Sequence, residues 1–336
     1  MTAPIKLVHL FAYGGPNIRG PQSGVLLRVR CPTDRSRRIR DALKDGAQFI
    51  GLVIAYLDVQ ATPAEDGYLI TASFSTPLPA IGRDLAAYVV EGIRALATGD
   101  DEWDKDTPLF ALQQQRRQLA HSIPVLQLLA EAHRRALPVL DLPDSVLQLG
   151  YGITAGAMFR LNSTHPPTMN DLPTQPPRID APWEQIGRVP LYVVTGEYDR
   201  PAMVQQLAHQ LDAAAQGYTV HPHASYNTVL HILADPTTRG AVVGLHTADI
   251  VQRGVPFDRC TACIITDAAG TPPPEALDAT EWVQALGLPM LLTAGAVLLN
   301  MDDPRLAALH DYAPPGILSL DRLDSIKPLS PPFIVL

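Results

Sequence analysis

The chain has 336 residues, 46% of them hydrophobic, with 34 acidic against 26 basic side chains and a formal net charge of −8. That content is enough to bury a core, and the length predicts two domains. An acidic balance with one short basic run, Arg35–Arg40, excludes the clustered Lys and Arg on which non-specific nucleic-acid binding depends. The run itself reads as a solvated helix start.

No apolar stretch reaches the roughly 20 residues that a membrane span needs. Residues 1–12 lack the basic start and long apolar run of a signal peptide, and three cysteines make no disulfide framework. The expectation is a cytoplasmic protein that binds neither nucleic acid nor membrane; a homo-oligomer is allowed.

Along the chain, the strand-like runs Lys6–Phe11 and Val25–Arg30 flank a Gly/Pro-rich connection. A helix over Ser36–Gln48, strands over Phe49–Leu57 and Gly67–Phe74, and a helix over Ile81–Ala97 follow. Leu109–Ala136 carries helical spacing, and Val139–Leu142 reads as a short strand. This half predicts an α+β domain over 1–162. Prolines then crowd the chain (Pro166, Pro167, Pro173, Pro176, Pro177, Pro182), which predicts an extended linker over 163–188. From 189 to 336 strands and helices alternate. Leu191–Thr195, Ala241–Leu245, Ala262–Thr266, Met290–Ala294 and Val297–Asn300 read as strands of a mostly parallel sheet with covering helices, an α/β domain.

Four stretches carry a family signal in the right order. Gly15-Pro16-Asn17 lies near the start, and Gln148-Leu149-Gly150-Tyr151-Gly152 closes the first half. Phe257-Asp258-Arg259-Cys260 and Asn300-Met301-Asp302-Asp303-Pro304-Arg305 lie in the second. Together they resemble cyanophycin synthetase, an ATP-dependent enzyme that builds an amino-acid polymer with an ATP-grasp module and a Mur ligase-like module. The resemblance implies that family's N-terminal domain followed by a Mur ligase central-domain-like sheet. The Pro-rich linker stands where the ATP-grasp domain is expected, and the Mur C-terminal domain is expected to be missing.

The departures bear on function. Mur-type ligases hold phosphates in a loop resembling G-T-N-G-K-T, whose amides cradle the anion while Lys counters charge and Thr helps hold magnesium. Here Gly196 is followed by Glu197, Tyr198, Asp199, Arg200 and Pro201. Two carboxylates stand where a polyphosphate would sit; like charges about 4 Å apart repel by roughly 4 kcal/mol at an effective dielectric near 20. Arg200 takes the lysine position with a broad planar group, and Pro201 deletes an amide. The position of the family's magnesium-associated glutamate falls at Gly244, and the family's T-N pair becomes Thr266-Asp267. ATP-dependent ligation is therefore not expected, and no cofactor is.

Other candidate sites are weaker. A helix that resembles a metal-peptidase site in some family members retains only Glu91 at a ligand-type position. His221, His223, His231, His246, Cys260 and Cys263 could supply a metal site in the second domain, although one C-x-x-C without a second is a weak pattern and His221-Pro222-His223 otherwise reads as a surface loop. Asn17 and Arg19 are the candidate ligand contacts of the Gly14–Gln22 loop. The sequence thus points to a pseudoenzyme: an accessory or scaffold subunit whose partner is an active ligase or an amino-acid polymer. The alternative is an enzyme with a replaced, metal-dependent active site in the second domain.

Overall fold

The structure, a computed structural model, describes residues 5–142, 146–160, 181–312 and 317–328. Most of the Pro-rich segment (163–180) lies outside the described residues. The chain divides into two compact units. The first takes in the described residues up to Ala120 together with Gln252–Gly254; the second takes in the described residues between His121 and Val251 and those from Val255 onward. No helix among the described residues is long and apolar enough to cross a membrane.

In the first unit, β1 (Lys6–Tyr13), β2 (Gly24–Cys31), β3 (Tyr56–Ala64) and β4 (Gly67–Ser75) form an antiparallel sheet in the order β1-β2-β4-β3. Alternation along the strands sends Val25, Leu27 and Val29 of β2 and Ile70, Ala72 and Phe74 of β4 into one core. The helices α1 (Ser36–Ile50) and α2 (Pro79–Thr98) close that face with residues at three- and four-residue spacing: Ile39, Leu43 and Ala47, then Leu85, Val89 and Ile93. α3 (Thr107–Leu119) adds Leu112 to the same core. The apolar run predicted as a strand over Phe49–Leu57 breaks in the middle. Gly51 adopts φ 71° and caps α1, its amide bonding to the Ala47 and Gln48 carbonyls, so Phe49 and Ile50 are helical and the strand starts at Tyr56. Pro63 is tolerated because β3 is an edge strand, where a missing donor breaks no inner ladder.

In the second unit, α4 (Ile123–Arg134) packs Val125, Leu128 and Ala132 against Leu147 and Leu149 of a small antiparallel sheet. That sheet is β5 (Val139–Leu142), β6 (Val146–Leu149) and β7 (Ala157–Arg160), in the order β5-β6-β7. The helical spacing over Leu109–Ala136 thus resolves into α3 and α4, each with a proline in its first turn, Pro108 and Pro124.

Next come β8 (Leu191–Thr195), α5 (Arg200–Gln210), α6 (Ala213–Gln216), β9 (Thr219–Ala224), α7 (Tyr226–Ala234) and β10 (Ala241–Leu245). α8 (Thr247–Arg253), β11 (Ala262–Ile265), α9 (Ala279–Leu291), β12 (Val297–Leu299) and β13 (Ile317–Ser319) complete the order. The six strands β8–β13 form one parallel sheet, β13-β12-β11-β8-β10-β9. Every residue of β8, β10, β11 and β12 is buried, as expected of strands covered on both faces. The fold is therefore mixed α/β. Two expectations need correction. Met290–Ala294 is not a strand: Met290 and Leu291 end α9, which buries Trp282, Leu286 and Met290. The His221-Pro222-His223 stretch, read as a surface loop, is part of β9, and its proline again sits on a sheet edge.

The division after Ala120 differs from the boundary drawn at residue 162, and hydrogen bonding gives the reason. Gln148 Nε2 donates to the carbonyls of Gly150 and Leu233 at 3.0 and 3.1 Å, tying β6 to α7. The fully buried Tyr151 places its hydroxyl 2.9 Å from Asp258 Oδ1, and Arg188 clamps both oxygens of Asp258 while its Nη2 also reaches the Ala136 carbonyl at 2.7 Å. Burial and the neighbouring Asp258 push the Tyr151 hydroxyl well above its usual range, which keeps it a neutral donor. Two family-like segments, one from each half of the sequence, meet in this cluster.

Asp258→Ala leaves the Arg188 guanidinium buried without its carboxylate and is expected to cost about 2–3 kcal/mol in urea unfolding. Tyr151→Phe is expected to cost about 1 kcal/mol. Strict additivity of the two in a double-mutant cycle would show that the cluster does not act as a unit.

Candidate functional site

The strand order reverses at β8, which pairs with β10 on one side and β11 on the other. In open α/β sheets the crevice beyond the carboxyl ends of the strands at such a reversal is where ligands bind. The residues brought there are Gly196–Arg200 after β8, Leu245-His246 at the end of β10 and Thr266-Asp267 after β11.

The loop after β8 has the form of an anion cradle. Gly196 takes φ 135°, and a Cβ there would fall 1.9 Å from Thr266 Oγ1, so only glycine fits. The amides of Glu197, Tyr198 and Asp199 then converge at the start of α5 on the carboxylate of Asp267. Glu197 N and Tyr198 N donate to Oδ1 at 3.2 and 3.3 Å, and Asp199 N donates to Oδ2 at 3.1 Å. Ala269 N adds a bond to Oδ1 at 3.1 Å and Thr266 Oγ1 one to Oδ2 at 2.8 Å. Asp267 is 6% exposed. Burial alone would raise its pKa, but the hydrogen bonds from Thr266, Asp199, Ala269 and Tyr198 outweigh it and hold the carboxyl below its usual range.

The loop that presents Asp267 is itself clamped. Asn300 Nδ2 donates to the Thr266 carbonyl at 2.7 Å, and Asp303 Oδ2 accepts from Ala268 N at 2.8 Å. Arg305 Nη1 donates to the carbonyls of Ala268 and Gly270 at 2.5 and 3.3 Å. The Asn300–Arg305 motif therefore holds the Asp267 loop in register with the cradle.

Arg200, at the lysine position, turns inward. It is 3% exposed, and Nη1 donates to the Gly196 and Leu245 carbonyls, each at 2.9 Å. Burial lowers its pKa, partly offset by Glu197 and Asp267. Its stem occupies the space beside Gly244, where a Cβ would meet Arg200 Cγ at 3.0 Å and the Pro222 carbonyl at 2.3 Å. A glutamate at 244 does not fit this backbone. Glu197 Oε1 accepts from Trp282 Nε1 at 3.3 Å.

The residues considered for a metal do not converge. His223 and His246 stack with centroids 5.8 Å apart, and Arg200 Nη2 lies 3.5 Å from His246 Nδ1. Burial, then the Arg200 charge, pushes His246 down. His231 lies exposed on α7. Cys260 and Cys263 are buried free thiols; burial pushes Cys260 up to about 12 and Cys263 well above its usual range, so neither offers a thiolate at neutral pH. Among the described residues, no group of three or more His, Cys, Asp or Glu is arranged to hold a metal ion. Glu91 is exposed on α2 and pairs with Arg94 at 2.6 Å.

Of the two loop residues, Asn17 is buried. Its Nδ2 donates to the Gly15 and Gln22 carbonyls and its Oδ1 accepts from Arg19 N, all at 2.8–2.9 Å. Asn17 therefore shapes its loop, whereas Arg19 is exposed.

A family model described as a domain of unknown function (DUF4938) matches residues 4–320. The chain belongs to this family. The matched span runs through both compact units, so the amide cradle and its carboxylate lie within the DUF4938 region. No curated protein is matched by the chain.

In the sequence Asp267 stands out only as the counterpart of the asparagine in the resembling family's T-N pair. The available signal was a new carboxylate at the end of the strand beside β8. Because the folded-state pKa of Asp267 is depressed, its stabilisation is present above about pH 4, the range of an unfolded aspartate, and is lost as pH falls through the lower folded value. Asp267→Asn is expected to cost about 1.5–3 kcal/mol at pH 7 and to flatten the acid limb of stability. Unfolding curves at pH 7 and pH 3 check this; a variant with the wild-type pH slope would mean that the cradle does not hold the carboxylate.

Proposed function

We propose that the protein is a non-catalytic relative of cyanophycin synthetase and Mur ligase, acting as an accessory or scaffold subunit for a ligase that builds an amino-acid polymer or oligo-amino-acid tail. The observation that carries the reading is the Asp267 carboxylate in the amide cradle. Phosphate binding by such a loop relies on converging amides and a free cation. Here three amides are engaged by an internal anion, the cation at the lysine position is spent on strand-end carbonyls, and Pro201 has no amide to give. ATP with magnesium does not fit these residues.

A protein that keeps a large α/β scaffold while its nucleotide crevice is self-filled has surface and rigidity to offer a partner. The sequence resemblance supplies the partner's class, an active ligase or its polymer product. Three buried, free thiols accord with work in a reducing compartment, and the cytoplasm is the proposed location.

Calorimetry and thermal shift with millimolar ATP and magnesium test the reading. A ligand at 100 times its Kd stabilises by about 2.7 kcal/mol, which a melting curve reports; no shift is expected. Glu197→Gln combined with Asp199→Asn is also expected to leave ATP binding absent, because Asp267 still fills the cradle. A magnesium-dependent shift in the wild-type protein would overturn the proposal, and stoichiometric zinc in the purified chain would favour a metal enzyme instead.

A further inference from the structure

We propose that the first unit docks on a second copy of the chain through an exposed aromatic patch where α1 meets α3, giving a two-fold symmetric dimer. The patch is independent of the crevice in the second unit, and it grows from the way α1 ends. The buried side of α1 runs through Leu43, Ala47 and Ile50, which leaves Phe49 on the outer side. The Gly51 cap ends the helix, so the Phe49 and Ile50 carbonyls need donors from elsewhere. α3 supplies them: Gln113 Nε2 donates to the Phe49 carbonyl and Arg116 Nε to the Ile50 carbonyl, each at 3.1 Å. These bonds fix α3 with Phe110 against Phe49, ring centroids 5.5 Å apart and planes at 70°.

The pair stands in solvent. Phe49 is 44% and Phe110 53% exposed, and Val53, two residues past the cap, is 62% exposed. Neither ring belongs to the core of the unit, which α1 and α3 already close with Leu43, Ala47, Ile50 and Leu112. Apolar side chains exposed singly are ordinary on a protein surface. Two phenyl rings in contact are the kind of rigid aromatic anchor on which interfaces concentrate their binding energy.

Charge selects the occupant. Asp45 lies one turn before Phe49 on α1 and is exposed. Asp106, also exposed, lies one turn before Phe110, whose amide bonds to its carbonyl at 3.0 Å. Arg117 is exposed two turns beyond Phe110 on the same side of α3. Because Gln113 reaches Phe49 and Arg116 reaches Ile50, the two helices pass the rings in the same sense. The patch is therefore acidic at one end, apolar at its centre and basic at the other. Such a surface is complementary to itself after a half-turn: Asp45 of each copy faces Arg117 of the other, twice per dimer. Size sets the strength. The 13 residues of α3 span about 20 Å. With neighbouring helices about 8–10 Å apart, the outer face of the α1–α3 pair covers on the order of 400 Å² per copy. Two such faces bury an area at the low end for specific complexes, so a dissociation constant in the micromolar range is expected.

Sedimentation equilibrium of the full chain over about 1 to 200 µM brackets that constant. A monomer–dimer equilibrium is expected, and Phe110→Asp is expected to leave only monomer. Arg117→Glu is expected to weaken association about tenfold or more, because it sets a carboxylate against Asp45 at both symmetry-related contacts. Asp45→Arg combined with Arg117→Glu exchanges the two charges and is expected to restore the dimer. A chain that stays monomeric throughout the range would overturn the proposal and leave the patch to a different protein. A dimer that Phe110→Asp leaves intact, or a double variant no tighter than Arg117→Glu alone, would overturn it as well. Should Phe110→Asp fail to fold, the charge exchange decides.

Discussion

A buried carboxylate held by three consecutive backbone amides organises the carboxyl edge of the large sheet. The amides of Glu197, Tyr198 and Asp199 point inward because Gly196 takes a positive φ and α5 begins immediately afterward. Donors at a helix start lack intrahelical partners, so burying them requires an acceptor from elsewhere. Water or a phosphate meets this need in an open crevice. In this protein Asp267 meets it from the end of the neighbouring strand. The same bonds that fill the cradle keep the carboxylate ionised, and the positive end of the helix dipole acts in the same direction.

The consequences spread through the second unit. Because Asp267 has to reach β8's loop, the 266–270 segment must be fixed, and Asn300, Asp303 and Arg305 fix it through the Thr266, Ala268 and Gly270 backbones. The Asn300–Arg305 motif therefore has a structural role that needs no nucleotide. Arg200 and Gly244 are linked in a similar way. The guanidinium satisfies two strand-end carbonyls only because its stem passes where a side chain at 244 would stand. A side chain at 244 would strike the Pro222 carbonyl as well as the Arg200 stem. The inward Arg200 and the bare Gly244 thus depend on each other.

Much of the architecture is legible in the sequence, since the all-apolar runs Leu191–Thr195 and Ala241–Leu245 are what doubly covered parallel strands require. The pattern misleads where tertiary context overrules a local rule. Gly51 divides the apolar run Phe49–Leu57 between a helix end and a strand start, which hydrophobicity cannot reveal. Met290–Ala294 reads as β by composition, yet it continues the buried face of α9 set by Trp282 and Leu286. Pro222 argues against a strand until the strand is known to be an edge. For the crevice, the sequence shows Gly196 followed by Glu197, Asp199 and the Arg200-Pro201 pair, all within the loop itself. The decisive partner is 68–70 residues away from the amides it binds. No local pattern encodes that distance; only the parallel pairing of β8 with β11 brings it together.

Charge placement separates the two units' chemistry. In the second, the crevice at the strand reversal gathers Glu197, Asp199 and Asp267, while its one inward cation, Arg200, is sealed under carbonyls and shielded from a ligand. An anion approaching that edge meets the carboxylates of Glu197 and Asp199 over a cradle whose amides already bond Asp267. In the first, acidic residues are absent ahead of Asp34, and the exposed Arg19 stands on a loop braced by Asn17. The overall charge of −8 therefore gives little guide to the local charge of either unit. At the carboxyl edge of the large sheet the loop's amides face an internal carboxylate.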